Sequence, residues 1–279
     1  MAQGAIFGKA VIEGTIVCRS GLRIGANADV MEIGGVDMPV VRDPVTEEPY
    51  LPGSSVRGKL RSLMERRRYT ELLQSSPSLA AHFFNRNIAP RGAPPVRHHE
   101  CSRDDCLPCR IFGVSRGDSE QTNAREMADR VVDNRPGRLL VRDCWLLNRD
   151  ELSIVASGLF TEIKYENSLD RITSAASPRQ VERVPRGAKF SFKAVYTADS
   201  LEEAREDLNE IIACLRLLED DYLGGCGSRG CGEIAFEGLT LRWRARGFYE
   251  GTEGETARSI DLAAAQAETD SVIAEVLGG

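Results

Sequence analysis

Apolar and polar positions alternate from Ala5 to Cys18 (AIFGKAVIEGTIVC), the period of a half-buried β-strand. The rhythm is lost from Gly21 to Pro52, where Gly and Pro punctuation predicts a loop-rich stretch. Behind a Pro52-Gly53-Ser54-Ser55 turn and capping sequence, Val56, Leu60, Leu63 and Met64 recur at helical spacing, so a helix is expected to about Leu73. Residues 74–138 carry Pro, Arg, Cys and His with little apolar rhythm, and read as an insertion organised by something other than a core. A strand is predicted at 138–147 (RLLVRDCWLL). The polar stretch 161–187 holds short β-like pieces around a Ser-Ala-Ala-Ser-Pro turn, and 188–197 alternates again (AKFSFKAVYT). Leu208, Ile211, Ile212, Leu215 and Leu218 share one face of a second helix from Leu201 to Leu218, and a Gly-rich turn leads to a last strand from Glu233 to Trp243.

The predicted order is strand, helix, strand, strand, helix, strand with long inserts, an α+β arrangement of the split βαβ or ferredoxin-like kind. A chain of 279 residues, 42% hydrophobic, suffices for a substantial core. No run approaches the roughly 18 consecutive apolar residues of a membrane span, and the N-terminus lacks a secretory pattern, so the cytoplasm is expected. The net charge of −6 is concentrated at the C-terminus: residues 245–279 carry −5 and the remainder −1. A near-neutral body can present a basic face, so a nucleic-acid partner is not excluded. The acidic tail from about Gly247 is expected to be disordered or to form a short helix.

The most specific chemical signal is His98-His99-Glu100-Cys101, followed by Cys106 and Cys109. Three thiolates at C-x4-C-x2-C with an adjacent imidazole suit tetrahedral Zn²⁺ in a closed, structural site. His99 is preferred to His98 as the fourth ligand. Gly225–Gly230 contains a literal G-x-G-x-x-G, but a helix precedes it and a strand follows, the reverse of a dinucleotide-binding turn. What remains is either a plain structural turn or a loop whose backbone N–H groups approach a phosphodiester, with Arg229 supplying charge. The first helix carries Arg57, Lys59, Arg61, Arg66, Arg67 and Arg68 against Glu65. This is either a solvated face or a surface for phosphates, helped by the helix-start N–H groups. Asp37, in Gly34-Gly35-Val36-Asp37-Met38-Pro39, is a turn residue or a carboxylate held where it can meet a phosphodiester.

Several segments together carry a resemblance: RIGANADVMEIGGVDMPVVRDPVTEEPYLPGSSVRGKLRSLMERR, CLPCRIFG, TEIKYENSLDRITSAASPRQVERV and DDYLGGCGSRGCGEIAF. In this order they resemble the RAMP superfamily of CRISPR–Cas proteins, most closely the Csm-type backbone subunit of type III effector complexes. The resemblance runs from Ala5 to about Leu241. It implies a ferredoxin-like (RRM-like) palm made of residues 1–75, 138–160 and 188–244, a zinc-binding lid at 76–137, a β-hairpin thumb at 161–187, and an acidic tail at 245–279. By the same resemblance the chain binds a CRISPR RNA guide, lines up with further copies of itself and with other effector subunits, and cuts guide-complementary single-stranded RNA at regular intervals.

The resemblance makes Asp37 the catalytic acid. Ser54, Ser55, Arg57, Lys59 and Arg61, with Gly225, Gly227, Arg229 and Gly230, would hold guide phosphates, and Arg179 and Arg183 would make further RNA contacts. It places a structural zinc on His99, Cys101, Cys106 and Cys109, before Phe112-Gly113. The 2′-hydroxyl of RNA is its own nucleophile, so in-line geometry and charge stabilisation are the main needs, and a catalytic Mg²⁺ or Mn²⁺ is expected. Base pairing with the guide would do the sequence reading, as in RNA-guided recognition generally. The alternatives are a non-cleaving, guide-holding scaffold, a guide-processing endonuclease, and a stand-alone zinc RNA-binding protein. A prokaryotic, cytoplasmic setting follows from the resemblance.

Overall fold

The computed structural model describes residues 6–25, 39–89, 92–101, 103, 105–114, 135–155 and 160–278. In chain order the elements are β1 (Gly8–Cys18), α1 (Gly53–Ser75), α2 (Pro77–Ala80), β2 (Arg86–Asn87), β3 (Arg97–His98), α3 (Leu107–Phe112), β4 (Leu139–Val141) and α4 (Arg149–Val155). They continue with β5 (Glu162–Leu169), β6 (Ala176–Arg183), β7 (Lys189–Ala198), α5 (Leu201–Glu219), β8 (Ile234–Ala245), α6 (Arg246–Glu250), β9 (Thr256–Ser259) and α7 (Gln266–Gly278).

One five-stranded sheet runs β4-β7-β1-β8-β9, and every neighbouring pair is antiparallel. The connection through α1 carries the chain from β1 past β7 to β4, and the one through α5 carries it from β7 past β1 to β8. Each helix therefore crosses one intervening strand, which is the split βαβ topology the alternation predicts. The apolar sides of the strands, with Ile12, Ile16, Phe190, Phe192 and Leu241, form one core with Val56 and Leu60 of α1 and Leu208 and Ile211 of α5. Among the described residues no helix is long and apolar enough to cross a membrane.

Three sequence expectations are corrected. The start of α1 is not capped by its own serines: the N-cap is Pro52, without a side-chain cap, and the Gly53 N–H donates to Asp143 Oδ1 at 2.7 Å. The strand expected at 138–147 is regular at Leu139–Val141 alone. Its register against β7 slips by one residue between the Val141–Ala194 pair and the Leu146–Phe190 bridge, a bulge at the place where Asp143 turns toward α1. For the C-terminal segment disorder is corrected, whereas the terminal helix that was its alternative is present as α7. β9 extends the sheet and α7 buries Ile273, Val276 and Leu277 in the core, because an apolar stripe in an acidic segment still gains by leaving water.

Candidate nucleic-acid interface and metal centre

The Gly-rich loop after α5 is a tight turn, with Cys226 and Gly230 left-handed on either side of a 3-10 turn at Gly227–Arg229. A side chain at Gly227 would collide with the Tyr222 ring, so this glycine serves packing rather than phosphate approach. Gly230, at φ +76°, has open space where a side chain would go. The amides of Gly225 and Gly230 are spent inside the fold, on Arg23 O (2.8 Å) and Gly227 O (3.2 Å). These two backbone N–H groups are therefore not available to an anion.

Several cationic side chains lie along this loop. Lys59 projects from α1 over the Tyr222 ring at 3.9 Å and pairs with Asp221 at 3.1 Å. Tyr222 packs under Gly227, and beyond the 3-10 turn Arg229 reaches the hairpin made by β5 and β6. There the Arg229 Nε lies 2.9 Å from Glu166, which also receives Arg179 at 3.0 Å, while the Lys164 ammonium donates to Arg229 O at 2.6 Å. Burial pushes the Glu166 carboxyl up, and the charges of Arg229 and Arg179 outweigh it, holding the group below the usual carboxylate range. Arg183 lies nearer the hairpin base, on Glu162 at 2.7 Å and packed over Gly21.

The basic helix divides its charges between two tasks. Ser54 is exposed and Ser55 half-buried at its start, beside Lys59. Arg57 turns inward: its Nε donates to Leu139 O (3.0 Å) and its Nη2 to Phe112 O (2.6 Å), with the guanidinium over the Phe112 ring. Arg61 donates to His99 O (2.9 Å) and pairs with Glu65 (2.7 Å). Both guanidiniums are thus bonded within the fold. They brace the insertion against α1, because otherwise unsatisfied carbonyls at α3 and β4 need donors.

Asp37 lies outside the described residues. The chain on either side of it is pinned: Val41 N donates to Ile24 O at 2.9 Å, and Gly25 bridges Val40. This closure is tied to the hairpin base through Glu182, which accepts from Val40 N (2.8 Å), Arg42 Nη2 (2.6 Å) and Thr161 Oγ1 (2.7 Å). Leu22 bridges Val184 alongside. The described residues that flank the segment holding the candidate acid thus meet at the foot of the hairpin.

Within the insertion, His99, Cys101, Cys106 and Cys109 bring one ligand atom each to within 4.8 Å of one another. His99 Nε2 faces the Cys101 and Cys106 sulfurs at 3.3 and 3.2 Å, and Nδ1 donates to Phe83 O at 2.8 Å. Phe83 also stacks on the imidazole at 4.0 Å, fixing the ring orientation. His98 points elsewhere, to Glu100 at 3.0 Å. Hydrogen bonds from Cys106 and Cys109 push the Cys101 thiol strongly toward thiolate, while the hydrogen bonds with Cys101 and Cys106 push Cys109 up. One buried imidazole nitrogen with a backbone acceptor behind it and three convergent sulfurs is a donor set that can hold a soft or borderline cation.

Directly after the cluster, Arg110 of α3 enters the core and donates to Asp207 of α5 from Nε (2.9 Å) and Nη2 (2.6 Å). Tyr196 OH donates to the other Asp207 oxygen at 2.6 Å, and Arg138 lies 3.4 Å from it while pairing with Asp199 and Glu203. This network fastens the insertion to the helix layer.

The sequence profile of the RAMP superfamily matches residues 15–235. The chain belongs to this superfamily. Among relatives of the RAMP protein, the CRISPR system Cms endoribonuclease Csm3 of Methanothermobacter thermautotrophicus is 41% identical over 254 residues, 88% of this chain and 91% of that protein. The Csm3 endoribonuclease of Streptococcus thermophilus is 36% identical, covering 84% of this chain and 89% of its own length. Of solved structures, a Csm3–Csm4 subcomplex of the type III-A CRISPR–Cas interference complex aligns with 99% of this chain and 100% of its own at TM-score 0.56 and 26% identity. Methanopyrus kandleri Csm3 shares the fold at TM-score 0.65 and 24% identity, over 98% of each chain.

Sequence reasoning missed several residues of this RAMP protein that organise the interface: Lys164, Glu166, Glu182, Asp207 and Asp221. A signal existed for one pair of sites. Glu162, Lys164 and Glu166 alternate on one strand as Arg179 and Arg183 do on the next, so cross-strand charge pairing was readable once the hairpin register was known.

Proposed function

We propose that this chain is a guide-holding backbone subunit of a type III CRISPR–Cas effector complex that cleaves guide-complementary target RNA. The observation that carries the reading is 41% identity over 88% of the chain to a protein named as an endoribonuclease of such a system. The track of Lys59, Arg229, Lys164 and Arg179 beside Ser54 and Ser55 supports it, as a surface suited to an RNA backbone. Its partners are the CRISPR RNA guide, target single-stranded RNA, further copies of the chain and other effector subunits.

Asp37 is the catalytic acid in this reading. The hairpin, acting as a thumb, displaces one nucleotide and sets its sugar-phosphate in line, so that the 2′-hydroxyl attacks the adjacent phosphorus and the 5′-oxygen leaves. The products are a cyclic phosphate or 3′-phosphate and a 5′-hydroxyl. A divalent ion, Mg²⁺ or Mn²⁺, would supply charge stabilisation there, with Asp37 as the chain's ligand and RNA oxygens or a neighbouring subunit completing the set. The role of this chain's described residues is to position. Glu182 and Arg42 anchor the exit of the acid-bearing segment to the foot of the hairpin, and Lys164 fastens the hairpin to the Gly-rich loop.

His99, Cys101, Cys106 and Cys109 hold a structural zinc in the same reading. The donor set supports it: three sulfurs and one nitrogen, largely buried, with the fourth ligand's orientation fixed by Phe83. Zinc there closes the insertion as a lid braced by Arg57 and Arg61.

The test is cleavage of labelled guide-complementary RNA by the assembled complex, wild type against Asp37→Ala, with Mg²⁺ or Mn²⁺ and with EDTA. Regular cuts that vanish with either the substitution or the chelator, while guide binding survives, are expected. Cuts that persist in Asp37→Ala move the site elsewhere, and a wild type that never cuts is a guide-holding scaffold.

A further inference from the structure

Glu166 is one carboxylate among three cations. Its Oε2 lies 3.0 Å from Arg179 Nη2 and 2.9 Å from Arg229 Nε, and its Oε1 lies 3.6 Å from Lys164 Nζ. The Glu166 side chain is covered, with 8% of its surface exposed, whereas the side chains of Arg179 and Arg229 remain 40% and 44% exposed. The cluster keeps an excess of positive charge, and its cations come from the two strands of the hairpin and from the Gly-rich loop. A strut between hairpin and loop would not need this carboxylate, because Lys164 already reaches the Arg229 carbonyl at 2.6 Å.

We infer that Lys164, Arg179 and Arg229 form a single phosphodiester-binding site, and that Glu166 occupies it in the RNA-free chain as an intramolecular substitute for the phosphate. The inference rests on the guide-holding reading above. A phosphodiester presents two equivalent anionic oxygens, as the carboxylate does, and guanidinium forks accept either. Exchange is inexpensive, since ion pairs of partly exposed arginines contribute little net stability. The occupant keeps three like charges from repelling one another at the hinge between hairpin and loop. No bond is made or broken in the exchange. One anion replaces another.

The experiment measures binding of a short, unstructured, fluorescein-labelled single-stranded RNA to the full chain across a salt series. It compares wild type, Glu166→Gln, Glu166→Asp, Arg229→Ala and the double variant Glu166→Gln/Arg229→Ala. Removing the competing charge at contact distance is expected to tighten binding roughly tenfold at low salt. The slope of log affinity against log salt should steepen by about 0.7, the value of one added phosphate contact on a single strand. The gain should vanish in the Arg229→Ala background, because the site is then incomplete. A gain that survives there reflects net charge alone and overturns the inference, as does a Glu166→Gln chain that binds RNA no better than wild type. Should Glu166→Gln unfold, Glu166→Asp keeps the charge but withdraws it by one methylene, so part of the gain is expected and a loss overturns the inference. Wild type that shows no salt-dependent RNA binding removes the guide-holding reading itself; RNA binding without the Glu166→Gln gain removes the exchange alone.

Discussion

Replacing Asp207 with Asn should unfasten the insertion that holds the His/Cys cluster from the helix layer. The Asp207 side chain is 0% exposed and the Arg110 side chain 6% exposed. The carboxylate accepts two hydrogen bonds from Arg110 and one from Tyr196, so an amide of nearly the same shape removes the charge while keeping the volume. Arg138 is little affected, because it retains Asp199 at 2.7 Å and Glu203 at 2.8 Å. Arg110 is the group left exposed to the cost. Among the described residues its other acidic partner is Glu206, whose side chain is 57% exposed and well screened. Breaking a buried pair by removing one partner costs about 3–5 kcal/mol, and the residual Glu206 contact places this case near 3 kcal/mol. For a domain of this size that corresponds to a fall in Tm of about 6–12 °C. Thermal and urea denaturation followed by circular dichroism measure it, with hydrogen exchange at residues 107–112 reporting whether α3 loosens first. Glu206→Gln is the control and should cost under about 1 kcal/mol, as surface pairs do. If Asp207→Asn costs no more than that control, the network does not fasten the insertion and the reasoning fails.

The pH dependence of the hairpin anchor follows from Glu182. Burial pushes this carboxyl up, but hydrogen bonds from Thr161, the Val40 N–H and Arg42 outweigh it, so in the folded chain it ionises below its ordinary 4.5. A lowered folded value means that its contribution is complete above about pH 4.5 and is lost as pH falls through the folded value. Wild type should therefore lose stability on acidification more steeply than Glu182→Gln, measured as urea midpoints across that range. If the proposed zinc is bound by His99, Cys101, Cys106 and Cys109, elemental analysis should find it stoichiometrically in wild type and lost in Cys109→Ser, with residues 92–114 destabilised in hydrogen exchange; equal metal content in the two proteins would count against the four-residue site. Lys59→Ala should weaken binding of unrelated RNA sequences uniformly by roughly three- to tenfold and flatten the salt slope by about 0.7, because it removes a phosphate contact rather than a base contact. Sequence-dependent loss would contradict that role.

The alternation in β1, β7 and β8 and the one-sided apolar faces of α1 and α5 determined the palm, because strand and helix periods are local properties that a core then satisfies together. The His/Cys cluster that can hold a metal was equally readable, since its four residues fall within eleven residues from His99 to Cys109, and donor type and spacing are what such a cluster needs above all. The choice of His99 over His98 needed the fold. Phe83, distant in the chain, stacks one imidazole and accepts its proton, while the other lies beside Glu100.

Charge was the least readable feature. Composition showed six bases on α1, yet tertiary contacts decide where each goes: Arg57 donates to the Phe112 and Leu139 carbonyls and Arg61 to that of His99, whereas Lys59, 17% exposed, pairs with Asp221 beside the Gly-rich loop. Likewise an acidic C-terminal stretch became the fifth strand and a packed helix, because its apolar residues meet α5 and β8 only after the sheet has formed. The carboxylates that answer the basic track, Asp221 and Glu166, come from elements more than a hundred residues from Lys59. Local pattern specifies an element's period and its ligands' chemistry. The pairing of a long, flexible, charged side chain is settled by whichever partner the folded surface brings within reach, and that is a property of the tertiary structure.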